Sequence, residues 1–163
     1  MMDYNYRDVL FFLFTIMIAM ILITLPLPRW LQLLQPSWVL LVILFWFCVA
    51  PEMIGLGWFW CIGLFQDMLV TTPLGMYAIV YLVVGFLLSR MSSRLSQYPL
   101  WQQLVVVSVA TVFQIICVFI VMNMAHQSIS LWVLLPSIVV NCLIWRLLFL
   151  TLHGVWRRRL RLY

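Results

Sequence analysis

Lysine is absent from this 163-residue chain, and acids nearly so: Asp3, Asp8, Glu52 and Asp67 are the only four. Charged residues make up 8% of the sequence and apolar ones 67%, and no polar stretch is long enough to form a soluble domain. The nine basic residues are all Arg, five of them at position 146 or beyond. A net charge of +5 placed this way reports membrane topology and does not indicate nucleic acid binding.

Other absences narrow the chemistry. No CxxC pair occurs, and Cys48, Cys61, Cys117 and Cys142 each fall inside a hydrophobic run. They read as small apolar packing residues, so neither disulfides nor a cysteine-bound metal is expected. His126 and His153 stand in different connectors without companion ligands, so no metal site is expected. There is no Ser-His-Asp set, no HExxH, no glycine-rich phosphate loop and no pair of neighbouring carboxylates outside the N-terminus. The expectation is a protein without catalysis and without a cofactor. The first apolar run ends without a small-x-small cleavage site, and Asp3 and Asp8 balance Arg7, so that run is expected to remain as a membrane span.

What is present is a series of hydrophobic runs. A spanning helix takes about 20 mostly apolar residues. The runs predict an all-α integral membrane protein, one domain over 1–163, with six transmembrane helices at about 9–25, 37–50, 53–70, 74–88, 100–124 and 131–152. The second run is short and suits a locally thinned bilayer. Segment 28–36, with Pro28 near its start and Pro36 at its end, reads as a short interfacial helix or an irregular loop. Pro136 is expected to free a carbonyl and kink the sixth span. Residues 153–163 form a basic tail. Six spans put Arg7, Arg90, Arg94, Arg157, Arg158, Arg159 and Arg161 on one side and Arg29 alone on the other. Positive residues stay cytoplasmic, so both termini are expected to face the cytoplasm.

Polar residues inside spans are costly and are therefore the candidate sites. Asp67 lies about one turn from the outer end of the third span, with Gly63 one turn below it on the same face. It serves a hydrogen bond at the turn into the fourth span, or partner and ligand recognition, or a proton relay. Gln114 and Asn141 fall at matching depth, roughly 15 Å from the outer ends of their spans. They are expected to bond across the bundle as packing polar groups, or to line a small-molecule cavity. Ser137, Asn141 and Trp145 share one helix face. Arg146 is expected to snorkel toward the cytoplasm. The tail arginines anchor topology, attract anionic lipid at about 1 kcal/mol each, or dock a cytoplasmic partner.

Ordered landmarks add to this. Pro26 and Pro28 follow span one, and Gln35-Pro36-Ser37-Trp38-Val39-Leu40-Leu41 opens span two, with Trp46 and Pro51 downstream. Gly63-Leu64-Phe65-Gln66-Asp67 precedes Leu74-Gly75, then come Leu100-Trp101-Gln102-Gln103 and Val139-Val140-Asn141 with Trp145. In this order and spacing the whole chain resembles the MreD family of bacterial rod shape-determining membrane proteins, with one departure, Gln35 where a relative carries Arg. The resemblance implies a non-catalytic scaffold of the elongation machinery in the bacterial inner membrane, serving peptidoglycan synthesis and rod shape. It implies a fold similar to the substrate-binding subunits of energy-coupling-factor transporters. The implied direct partner is MreC, whose single transmembrane helix would pack on small residues such as Gly55, Gly63 and Gly85 along spans three and four. MreB, RodA and the elongation-specific penicillin-binding protein complete the implied complex. A small-molecule-binding or transport subunit, with Asp67, Gln114 and Asn141 around a pocket, is the competing expectation.

Overall fold

A computed structural model describes residues 6–26, 28, 35–90, 99–124 and 135–160, without the side chains of residues 100 and 155–160. These residues form six α-helices: α1 Tyr6–Thr24, α2 Trp38–Val49, α3 Leu56–Val70, α4 Met76–Arg90, α5 Leu100–Met124 and α6 Pro136–Leu160. The protein is all-helical among its described residues. Three helical stretches, Tyr6–Thr24, Trp101–Met124 and Pro136–Gly154, are long and apolar enough to cross a membrane. The other three have 12, 15 and 15 residues and rise only about 18–23 Å.

The shortest helix is the innermost. Every residue of α2 from Val39 to Cys48 is buried. A helix apolar on all sides has no face to offer water, and burial on all sides is its stable placement. Enclosed by protein, α2 is released from the length that lipid contact imposes. Trp46 anchors it to α1: its ring packs edge-on against Phe11 and Phe12 at 5.6 and 5.5 Å, and its Nε1 donates to Thr15 Oγ1 at 2.8 Å. Phe45 meets Phe149 of α6, and Phe47 meets Phe59 of α3.

Side-chain pairs give the helix directions. Thr15–Trp46 together with the Gln35 contacts to Leu22 and Ile23 make α1 and α2 antiparallel. Ser37–Asn141 and Phe45–Phe149 make α2 and α6 parallel. The start of α1 and the end of α6 therefore lie at the same end of the bundle.

The last described helix begins at Pro136; residues 131–134, which the sixth span was expected to include before it, lie outside the described residues. At the first helical position proline's missing N–H and fixed φ cost nothing. α6 continues to Leu160, so the first part of the basic tail is helical. Of segment 28–36 only Pro28, Gln35 and Pro36 are described; its interfacial helix, the connectors 91–98 and 125–134, and Arg161 lie outside the described residues.

Candidate functional site

The tightest packing is between α3 and α4, and two features of local sequence produce it. The first is the turn 71–75. Thr71 caps α3 in the left-handed conformation (φ 54°), and Gly75 enters α4 at φ 97°, where any side chain would be strained. The second is Gly63. A Cβ built on it would lie 2.3 Å from Ala78 Cα and 2.5 Å from Ala78 N. The backbones of the two helices touch at this point.

Asp67 closes the same seam. Its carboxylate is 1% exposed. Oδ1 accepts from Thr72 Oγ1 at 2.9 Å and from Tyr77 N at 3.0 Å; Oδ2 accepts from Gly75 N at 2.9 Å and from Ala78 N at 3.5 Å. Helix N-termini leave backbone donors without intrahelical partners, and a negative group is favoured there. Asp67 supplies that group to α4 from the preceding helix. Its backbone carbonyl also accepts the Thr72 N–H at 3.3 Å. Of the roles open to this acid, the geometry is that of closing the turn.

One residue before it, Gln66 accepts a short hydrogen bond from the Tyr81 hydroxyl of α4. Tyr77, whose N–H bonds Asp67, also lies beside the Gln114 side chain of α5. Asp67, Gly63 and Gln114 are thus brought to one seam, with Tyr77 between the acid and the amide.

Asn141 stands apart from that seam, fully buried. Its Oδ1 accepts the Ser37 N–H at 2.9 Å, and its Nδ2 donates to Thr111 Oγ1 at 3.1 Å. The expected Gln114–Asn141 bond is not formed. The register of α5 and α6 is set by Thr111–Asn141, Ser108–Cys142 (3.2 Å) and Gln103–Trp145 (3.3 Å). Gln114 lies one turn beyond Thr111 and is rotated toward α4, so equal depth did not mean equal facing. Trp145, on the face expected to hold Asn141, is buried against Gln103.

The glycine surface expected to receive a partner helix is likewise corrected. Gly63 is filled by the α4 backbone, and a Cβ on Gly85 would lie 2.8 Å from the Phe59 ring. Of the three glycines expected to form it, Gly55 alone faces open space. Both close approaches serve this chain's own fold. The side chains of Arg157, Arg158 and Arg159 lie outside the described residues, although their backbone belongs to α6. No cluster of His, Cys, Asp or Glu that could hold a metal occurs among the described residues.

Sequence reasoning missed Thr15, Thr111, Tyr77 and Tyr81, because each is an unremarkable residue in an apolar run. Their partners were visible: Trp46, Asn141, Asp67 and Gln66 all occur in or beside the ordered landmarks, as do Gln103 and Trp145, which bond each other. Such bonds between neutral groups in membranes average about 0.6 kcal/mol. Asn141 exceeds that by also accepting the first N–H beside α2. Asn141→Leu is expected to lower the thermal midpoint in detergent more than Thr111→Val; equal effects would show that the Ser37 bond contributes nothing.

Opposite the polar seams, α1 and α6 both pack on α2 and leave a groove of about 400 Å³ between them. Ile18, Ala19, Val42, Ile144 and Leu148 line it. Its two hydroxyls are occupied: Thr15 bonds Phe12 O and Trp46, and Thr151 bonds the Leu147 and Leu148 carbonyls. The groove is lined mainly by aliphatic side chains, with the Trp38 indole beside them, and offers chiefly shape and dispersion.

Comparison with known proteins completes these observations. The family "rod shape-determining protein MreD" matches residues 2–155. The rod shape-determining protein MreD of Haemophilus influenzae is 28% identical over 147 residues, covering 90% of each chain. No solved structure matches.

Proposed function

This chain belongs to the MreD family of rod shape-determining proteins, and on that premise we propose that it is a non-catalytic membrane scaffold that receives the single transmembrane helix of MreC in the groove between α1 and α6. The carrying observation is the groove itself. It is open, largely aliphatic and walled by two of the three helices long enough to cross the membrane, with α2 as its floor. Helix association in lipid has no hydrophobic drive, so it depends on surfaces that let van der Waals contact accumulate. A preformed groove lined by Ala19 and short aliphatic residues meets that need.

The wider role follows from the family. Seated in the bacterial inner membrane with both termini in the cytoplasm, the protein would hold MreC near RodA, the elongation-specific penicillin-binding protein and MreB. By favouring one arrangement of MreC it would bias peptidoglycan synthesis, since a binding partner shifts an equilibrium only through its differential affinity. The competing reading, a small-molecule or transport subunit, keeps only Gln114, whose buried Oε1 has no partner, since the Asp67 carboxylate and the Asn141 amide are taken up by bonds within the fold.

The test is disulfide crosslinking in a cysteine-free background. Single cysteines at Ile18 and Leu147, at the groove, are expected to crosslink to the MreC helix. Cysteines at Val109 on α5 and Ile79 on α4, both exposed, are expected not to. Crosslinks confined to Val109 or Ile79 would move the partner to another face.

A further inference from the structure

α3 is short, and protein does not enclose it. Its 15 residues rise about 22 Å, against about 30 Å of hydrocarbon in an ordinary bilayer. Unlike α2, it turns a face outward: Trp60, Phe65, Met68 and Leu69 are exposed. The chain on either side of it is unsuited to hydrocarbon. Before it comes the turn that carries the exposed Glu52. After it comes the turn 71–75, where Thr71, Pro73 and Leu74 are exposed. Lipid-exposed irregular backbone does not occur within the hydrocarbon region, so headgroups must reach down to this turn. Snorkelling does not close the distance. The polar side chains at the turn are Thr71 and Thr72, both short and bonded to the Val70 carbonyl and to Asp67. Tilting reduces the reach of a helix across the bilayer and would widen the deficit.

The neighbouring helix gives this boundary a height. α4 and α5 are antiparallel: Tyr77 lies beside Gln114, while Val84 and Leu88 share an apolar cleft with Val109 and Val105. Continued residue by residue, this register puts Gly75 level with about residue 116 of α5. α5 does not stop there. It runs on to Met124 with Ile116, Ile120 and Met124 exposed, and Trp101–Met124 is long and apolar enough to cross the membrane. The exposed turn between α3 and α4 and the apolar end of α5 therefore require different heights of one bilayer surface, roughly 10 Å apart.

We propose that the protein satisfies both by thinning the leaflet on the side of the α3–α4 turn. Headgroups descend to Thr71 and Leu74 on the α3 flank and stay near the end of α5 beside it. The partner of the exposed α3 face is lipid, whose acyl chains shorten along Phe65 and Met68. A second copy seated on α3 would cover those side chains yet leave the turn at the same depth, so pairing does not remove the mismatch. The inference needs only the membrane placement of the helices and is independent of where MreC binds.

The test is spin-label depth measurement on the full chain in dioleoylphosphatidylcholine bilayers. Single cysteines in a cysteine-free background carry the label at Leu74 on the turn, Ile120 on α5 and Phe65 on α3, all exposed positions. Ile120 stands about one turn farther along the bundle axis than Gly75, so in a flat bilayer its label would be nearer the water than the Leu74 label. The expected result is the reverse: severalfold more collision with a water-soluble nickel chelate at Leu74, and more collision with oxygen at Ile120. The Phe65 label is expected to read as hydrocarbon, which shows that α3 itself is embedded. A Leu74 label deeper in hydrocarbon than the Ile120 label would overturn the inference, and so would a Phe65 label open to the chelate. Spin–spin broadening at Phe65 and Leu74 that disappears on dilution with unlabelled protein, with both positions shielded from chelate and oxygen, would also overturn it, because a second copy would then cover the face.

Discussion

Asp67→Ala is expected to lower stability by about 3 kcal/mol or more, a large part of the roughly 5–15 kcal/mol that holds a folded domain together. The estimate rests on what the substitution leaves behind. The Thr72 hydroxyl and the Gly75, Tyr77 and Ala78 N–H groups all point at the carboxylate. Removing it leaves several buried or part-buried donors without their acceptor, at about 1–3 kcal/mol for each that stays unsatisfied. The start of α4 also loses the negative charge that complements its dipole. Asp67→Asn keeps one acceptor oxygen but turns an NH2 toward backbone donors, so it is expected to recover only part of the loss. Thermal unfolding in detergent and the amount of protein in the membrane fraction measure both effects. A wild-type melting temperature combined with lost rod shape would move the role of Asp67 from this turn to a partner.

Gly63→Ala is expected to be comparably damaging, through the same seam by another route. The added methyl would sit 2.3 Å from Ala78 Cα and 2.7 Å from the Tyr77 carbonyl carbon. Neither atom can step aside without moving α4. Separating the helices to ordinary contact also lengthens the Asp67 bonds one turn away, so the two substitutions act on one structure and their effects are expected to sum to less than their parts. Gly85→Ala provides the comparison: its neighbour is the Phe59 ring at 2.8–2.9 Å, a side chain with some freedom to shift, and a smaller loss is expected. Gly57→Ala meets nothing within 4 Å and, inside α3, is expected to be neutral or to stabilise by about 0.5–1 kcal/mol. The melting-temperature loss is expected to fall in the order Gly63, Gly85, Gly57. A tolerated Gly63→Ala would show that α3 and α4 do not approach this closely.

Both residues were visible as sequence features, and the turn bond was among the roles open to Asp67; what fills the Gly63 face was not visible. Asp67 and Gly63 are conspicuous in an apolar run, and their i, i+4 spacing places them on one face. What they face depends on whether the neighbour belongs to this chain or another. The turn 71–75, readable from Thr71-Thr72-Pro73-Leu74-Gly75, makes α4 the nearest candidate, and α4 does occupy that face. Gln114 and Asn141 show the converse. Their depths were read from helix length, yet their facing depends on a register that Thr111, Ser108 and Gln103 set.

The sequence by itself determined the solvent, the class and the family. Scarce charge and long apolar runs leave the bilayer as the place for these helices, and ordered landmarks along the whole chain identify the relatives. Only the tertiary structure decided that the shortest helix is the central one, that Asp67 and Gly63 serve the fold, and that the open groove lies between α1 and α6. The reason is that lipid tails and a protein core are equally apolar. In water a helix shows its inner face by where its hydrophobic residues stop; in a membrane they do not stop, and packing alone distinguishes inside from outside.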